Sequence, residues 1–208
     1  RRMAFRALMP DLLVGGRPAL ALDALVLSQE DVDQIRTLTS AFARLFRFAA
    51  ERIALDTAAL ERIGFPWAAA ELLAQEPPSP VTLGRFDLLR DRDGRWWVLE
   101  LNSDTPSGLR EAVVADAEVH RWLGQGTDRP NEGLAERVVE QFLIALGEGP
   151  GCLGIVTDGG EPEDLAQMEF TRRLLAPRLA EHGWSTVLGD VTNLSLRRGQ
   201  LHLLGRPL

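Results

Sequence analysis

The sequence contains no lysine; apart from histidine, all 23 of its basic side chains are arginine. It has one cysteine, Cys152, so no disulfide framework can form within the chain, a usage that fits a reducing compartment. Cys152 sits in the apolar run Cys152-Leu153-Gly154-Ile155-Val156 and reads as a small buried hydrophobe. Long apolar runs are missing too. The stretch Ala19 to Leu27 falls well short of the roughly 20 residues a membrane span needs, Asp23 interrupts it, and nothing resembles a signal peptide. A cytoplasmic protein is expected. No basic cluster interleaved with aromatics occurs, and the net charge of −7 argues against a generic nucleic-acid binder. The three histidines, His120, His182 and His202, lack the spacing of a zinc site or a Ser-His-Asp triad. Thr157-Asp158-Gly159-Gly160 follows a strand but lacks both G-x-G-x-x-G and a Walker lysine, and reads as an ordinary loop.

What is present suits a folded protein. With 208 residues and 45% hydrophobic content the chain can bury a core, in one domain or two small ones. Residues 1–27 are apolar and irregular, with a turn at Gly15-Gly16-Arg17-Pro18. Ser28-Gln29-Glu30-Asp31 reads as a helix cap with acids in the first turn. Ile35, Leu38, Phe42, Leu45, Ala49 and Ile53 continue it as a long amphipathic helix. Asp56 is placed to cap a short helix through Ile63, stopped by Gly64 and Pro66, and another short helix is predicted over Trp67–Gln75. Pro77-Pro78-Ser79-Pro80 marks a boundary.

Beyond it, Arg85-Phe86-Asp87 and Trp96-Trp97-Val98-Leu99-Glu100-Leu101-Asn102 read as two strands. Asp93-Gly94 joins them as a two-residue type I′ turn, which needs φ > 0 at both central residues. That turn sets Leu89 against Val98, Asp87 against Glu100 and Arg85 against Asn102. Alternation then puts Arg85, Asp87, Glu100 and Asn102 on one face, with Phe86, Leu88, Trp97, Leu99 and Leu101 on the other. Facing carboxylates repel unless a positive charge lies between them, so Asp87→Asn is expected to stabilise the metal-free protein. Two carboxylates and an amide are oxygen donors of the kind Mg²⁺ takes beside substrate phosphates.

Thr105-Pro106 reads as a cap and first helical residue, with the helix running through Leu109, Val113 and Val119 to Leu123. Its N-terminal amides would suit a phosphate or carboxylate, and Ser103, Thr105 and Ser107 supply hydroxyls there as candidate nucleotide or substrate contacts. Asn131 opens a further helix that Gly147 closes. A second boundary at Gly147–Gly151 precedes strand 152–157, helix 162–182 and strand 186–188, a βαβ unit implying a parallel pair. Leu194–Leu196 and Leu201–Leu203 flank a terminal hairpin. The fold class is therefore α/β (α+β). A helical region spans 1–80, the hairpin with helices 81–149, and a Rossmann-like βαβ unit 150–208.

Gly84-Arg85-Phe86-Asp87 followed by Leu99-Glu100-Leu101-Asn102-Ser103-Asp104-Thr105-Pro106-Ser107 resembles glutathionylspermidine synthase and its circularly permuted ATP-grasp relatives. The likeness is to the N-terminal half of such ligases, where the βαβ unit would be the pre-ATP-grasp element. It implies that Asp87, Glu100 and Asn102 hold Mg²⁺ bound to ATP and that Arg85 stabilises the transferred phosphoryl group. It also implies an ATP- and Mg-dependent ligase joining a small carboxylate to an amine through an acyl phosphate. Two other readings stay open: a non-catalytic binding or scaffold domain, and another Mg-dependent phosphotransferase. In ATP-grasp ligases, lysines on a separate lid help bind the phosphates. With no lysine, and with Gly205-Arg206-Pro207-Leu208 read as a turn, the chain is expected to be a fragment whose lid lies beyond Leu208.

Overall fold

The computed structural model describes residues 26–67, 70–71, 73, 81–103, 106–117, 120, 131–160 and 162–208. It also places the backbone of two short paired strands, β1 (Leu13–Val14) and β2 (Arg17–Pro18). The architecture mixes helices with small sheets, an α/β fold as the sequence predicts. The chain divides into two compact units, Ala24–Asp104 and Arg1–Asp23 with Thr105–Leu208.

The first unit is built on helix α1 (Gln29–Ile53). Its start is a capping box: the Ser28 hydroxyl accepts from the Asp31 amide at 3.1 Å, and the Ser28 amide donates to the Asp31 carboxylate at 3.1 Å. The short helix α2 (Thr57–Arg62) begins where the Asp56 carboxylate accepts from the Ala59 amide at 2.9 Å. Both starts match the sequence reading. Trp67, Ala70, Glu71 and Leu73 are helical, and the other residues of the helix predicted to Gln75 lie outside the described set.

Strands β3 (Arg85–Arg90) and β4 (Trp96–Asn102) form the predicted antiparallel hairpin. Helix and hairpin, assigned by sequence to separate regions, pack together. Phe46 packs against Phe86 with ring centroids 6.1 Å apart, and the Trp96 indole donates to the buried Asp31 at 3.1 Å. Arg90 adds an ion pair to Asp31 at 3.2 Å. The helix cap is thereby also the anchor of the strand.

The hairpin turn differs from the two-residue form. The loop is Arg92-Asp93-Gly94, closed by the Asp91 amide donating to the Arg95 carbonyl at 2.9 Å, with Gly94 left-handed at φ 82°. This is the three-residue loop that ends in a left-handed glycine. The Asp91 carboxylate fastens it, accepting from the Asp93 and Arg95 amides and from the Trp97 indole. Leu89 consequently faces Trp97 rather than Val98, and Trp97 moves onto the face of Asp87 and Glu100. A bulge between Asp87 and Leu88 on β3, absorbing Leu99 on β4, then restores Asp87 opposite Glu100 and Arg85 opposite Asn102.

In the second unit, the chain after Pro106 turns at Ser107-Gly108, with Gly108 at φ 97°, and becomes helical only from Leu109. The helix therefore begins beyond the predicted Thr105 cap, because a residue at positive φ cannot lie within a right-handed helix. Glu111–Ala115 form a π-helical turn. Residues 121–130, including the predicted end at Leu123–Gly124, lie outside the described set. Helix α3 (Leu134–Leu146) starts after Gly133, left-handed at φ 71°, so Asn131 belongs to the preceding turn; Gly147 closes the helix as predicted.

The βαβ unit is as the sequence predicts. Strand β5 (Gly151–Thr157), helix α4 (Pro162–Glu181) and strand β6 (Trp184–Asp190) follow in order, and β5 pairs with β6 in parallel from Gly151–Trp184 to Thr157–Asp190. Val139, Leu175 and Leu179 form the core between α3 and α4, joined by Phe142, Leu153 and Trp184. Strands β7 (Leu194–Arg197) and β8 (Gln200–Leu203) make the predicted terminal hairpin. The final residues depart from the reading: Arg206–Pro207 is a third strand, β9, paired with His202–Leu203 rather than a turn. Gly154 and Gly189 face this sheet's side chains so closely that an added Cβ would meet Leu208 at 2.7 Å and Leu203 at 2.8 Å. These glycines let Leu203, fully buried, reach the parallel strands.

Candidate functional site

One face of the hairpin carries Arg85, Asp87, Glu100 and Asn102, the four residues singled out in the sequence. Arg85 grips Asp87 on its own strand through both carboxylate oxygens, Nε to Oδ1 at 2.6 Å and Nη2 to Oδ2 at 3.0 Å. On the facing strand the Asn102 amide group donates to Glu100 Oε1, two residues away along β4, at 2.9 Å. Arg85 and Asp87 are both about one-third exposed at their side chains (37% and 35%), so the cluster is open to a ligand. Hydrogen bonding from Arg85 holds the Asp87 carboxyl below its ordinary range, helped by the guanidinium charge and in smaller part by hydrogen bonding with Glu100.

This arrangement corrects the expectation of a destabilised carboxylate pair. Asp87 does face Glu100, but Arg85 supplies positive charge beside it, so Asp87 is favoured in its charged form. The donor types nevertheless suit a hard cation: two carboxylates occupy facing positions, with the Asn102 amide on the same face, and a bound cation would divide the carboxylate oxygens with Arg85. Among the described residues no three His, Cys, Asp or Glu side chains cluster as a metal site. The candidate set has two such groups and an amide.

The hydroxyl candidates separate. Ser103 lines a cleft with Phe86 and Leu101, on the face opposite the carboxylates. Thr105 lies outside the described residues. Ser107 belongs to the second unit, half-buried in the turn before Leu109.

In that unit the structure also reveals a feature the sequence reading passed over. Arg110 is only 3% exposed and pairs with Glu111 at 2.6 Å, at the entrance to the π-helical turn. Arg110 Nη1 and Glu111 Oε2 are buried without hydrogen-bond partners. The available signal was an arginine set between Leu109 and the apolar run of Ala112 to Ala115.

A comparison with protein families matches residues 14–204 to the glutathionylspermidine synthase pre-ATP-grasp family. The chain belongs to that family. Its membership makes it part of an ATP-grasp-type ligase family and covers both units described above. A search of curated proteins finds no match. No helix among the described residues is long and apolar enough to cross a membrane.

Proposed function

We propose that this protein acts in an ATP- and Mg²⁺-dependent ligase that joins a small carboxylate to an amine. The observation that carries the reading is the clustering of Arg85, Asp87, Glu100 and Asn102 on one hairpin face, with Asp87 directly opposite Glu100. In the proposed reaction a substrate carboxylate attacks the γ-phosphate of ATP, giving an acyl phosphate and ADP. The amine then attacks the acyl carbon and displaces phosphate, leaving an amide. Such phosphoryl transfer depends on positioning and charge neutralisation more than on covalent chemistry by the protein.

Asp87, Glu100 and Asn102 would hold the Mg²⁺, which when bound neutralises charge on the ATP phosphates. Arg85 offers a planar fork suited to phosphoryl oxygens. Its grip on Asp87 keeps the carboxylate ionised and ready as a ligand. Ser103, Thr105 and Ser107 remain candidates for contacts to nucleotide or substrate, Ser103 the least supported because it lines the reverse face. A glutathione–polyamine conjugate or a peptide is a suitable amide product, and the setting proposed for it is the cytoplasm.

The test is a screen of glutathione, amino acids and polyamines with ATP and Mg²⁺, measuring ADP formation and searching for an amide by mass. ADP with an amide supports the ligase. ADP with a phosphorylated acceptor and no amide would favour another phosphotransferase. No turnover with any pair, using the natural full-length protein, would favour a binding domain.

A further inference from the structure

We propose that the cleft between α1 and the apolar side of the β3–β4 hairpin binds a small carboxylate with an apolar body. It lies on the reverse of the sheet from Asp87 and Glu100, so it is a second site whose existence does not depend on the ligase reading. The cleft has a volume of about 720 Å³. That falls within the roughly 300–1,000 Å³ of small-molecule sites.

Its floor is apolar: Phe46 and Phe86, with centroids 6.1 Å apart and rings inclined at 45°, and Leu101 beside them. Its polar side chains are Arg44, Arg47, Glu51 and Ser103. Glu51 compensates Arg47 through an ion pair of 3.0 Å. Arg44 is exposed and makes no hydrogen bond or ion pair among the described residues. Among the described residues the cleft therefore presents one guanidinium without a compensating partner and one hydroxyl above an aromatic floor. That combination is complementary to a single planar anion carried on a ring or short acyl chain, since a guanidinium fork matches a carboxylate. A polyamine would meet like charge there.

The position has a consequence for the other face. Leu101 on β4 and Ser103 just beyond its end alternate along the chain with Glu100 and Asn102. A ligand seated against the first pair restrains the backbone that carries the second.

The experiment titrates 3-phenylpropionate and its neutral amide into the full chain, following backbone amide shifts by NMR. The acid should bind saturably and about tenfold more tightly than the amide, the scale of one charge-assisted hydrogen bond. Shifts should centre on Leu101 and Ser103. Arg44→Gln, at an exposed helix position, should leave the fold intact and erase the preference for the acid. Ala50→Trp, exposed on the same stripe of α1, should fill the cleft and abolish binding of both compounds. The proposal is overturned if the acid does not saturate or if acid and amide bind equally. An acid preference that survives Arg44→Gln, or binding that survives Ala50→Trp, overturns it as well.

Discussion

Asp87 stands directly opposite Glu100 across the hairpin, yet it is Arg85, two residues away on its own strand, that holds both of its carboxylate oxygens. A facing pair of acids would by itself weaken the sheet. The guanidinium reverses that sign for Asp87. Its folded-state pKa is lowered, so its contribution to stability is complete above the ordinary carboxylate range and is lost as pH falls through the lowered value. Asp87→Asn should therefore lower the melting temperature slightly at neutral pH, and the gap from wild type should close in acid. Thermal melts at pH 7 and pH 3 check both parts; a mutant more stable at pH 7 would show that repulsion from Glu100 outweighs Arg85.

Arg85→Lys separates charge from shape. Lysine keeps the positive charge but cannot make the two-pronged contact with Asp87 or present a planar fork to phosphoryl oxygens. On the proposed reaction, turnover should fall at least about tenfold, roughly 1.4 kcal/mol of transition-state stabilisation. Saturating kinetics in the natural full-length enzyme measure it. Unchanged kcat would remove Arg85 from the reaction.

How far the sequence reveals this site depends on which residue is asked. The Ser28–Asp31 cap was legible because a capping box is a local pattern; that Asp31 also receives Trp96, 65 positions away, was not, since no local signal encodes that pairing. The facing of Asp87 and Glu100 follows equally from a two-residue loop with a regular ladder and from the three-residue loop with a bulge that the structure shows. Asp93-Gly94 announces a left-handed glycine, which a two-residue and a three-residue loop both require. The extra residue at Leu99 lies in an unbroken apolar run with no glycine to mark it. The Thr105 start failed because Gly108 takes the left-handed region inside what looked like a helical pattern.

Ser28→Ala tests the cap. It removes the hydroxyl that accepts from the Asp31 amide and donates to its carboxylate at 2.7 Å. The loss should be about 1 kcal/mol, the usual cost of an N-cap serine. Because Asp31 also anchors Trp96 and Arg90, the hairpin should loosen with the helix. Chemical denaturation gives the magnitude. Hydrogen exchange at Trp96 reports the coupling: unchanged protection there would mean that cap and strand are independent.

In the second unit, Glu169 on α4 accepts from Arg172 and Arg173, chiefly Arg172, and its pKa falls to about 2 from an ordinary 4.5. The lowered value makes its stabilisation complete above pH 4.5 and progressively lost as pH drops toward 2. Glu169→Gln should therefore be less stable than wild type at neutral pH and less sensitive to acid between pH 5 and 2. The difference in slope is bounded by about 1.4 kcal/mol per pH unit, the value for one linked proton, and partial exposure keeps it lower. Urea melts across that range decide the point; parallel curves for the two proteins would deny Glu169 a special role.

The bulge at Leu99 is the least expected part of the candidate site, and a deletion isolates it. Leu99 is 62% exposed, so removing it empties no core. Without it the ladder would run on from Leu88–Val98 to Asp87–Glu100 in regular register, because the three-residue loop already sets the spacing. The two carboxylates would still face each other, but the added twist that a bulge imparts would be lost. If local twist aims Asp87 and Glu100 at a shared ligand, the deletion should fold, keep a melting temperature near that of wild type, and lose Mg²⁺-dependent turnover at least about tenfold. Circular dichroism melts and ADP formation in the natural full-length enzyme supply the two readouts. A protein that folds and turns over normally without Leu99 would assign the bulge to repairing the register set by the loop, with no part in aiming the carboxylates.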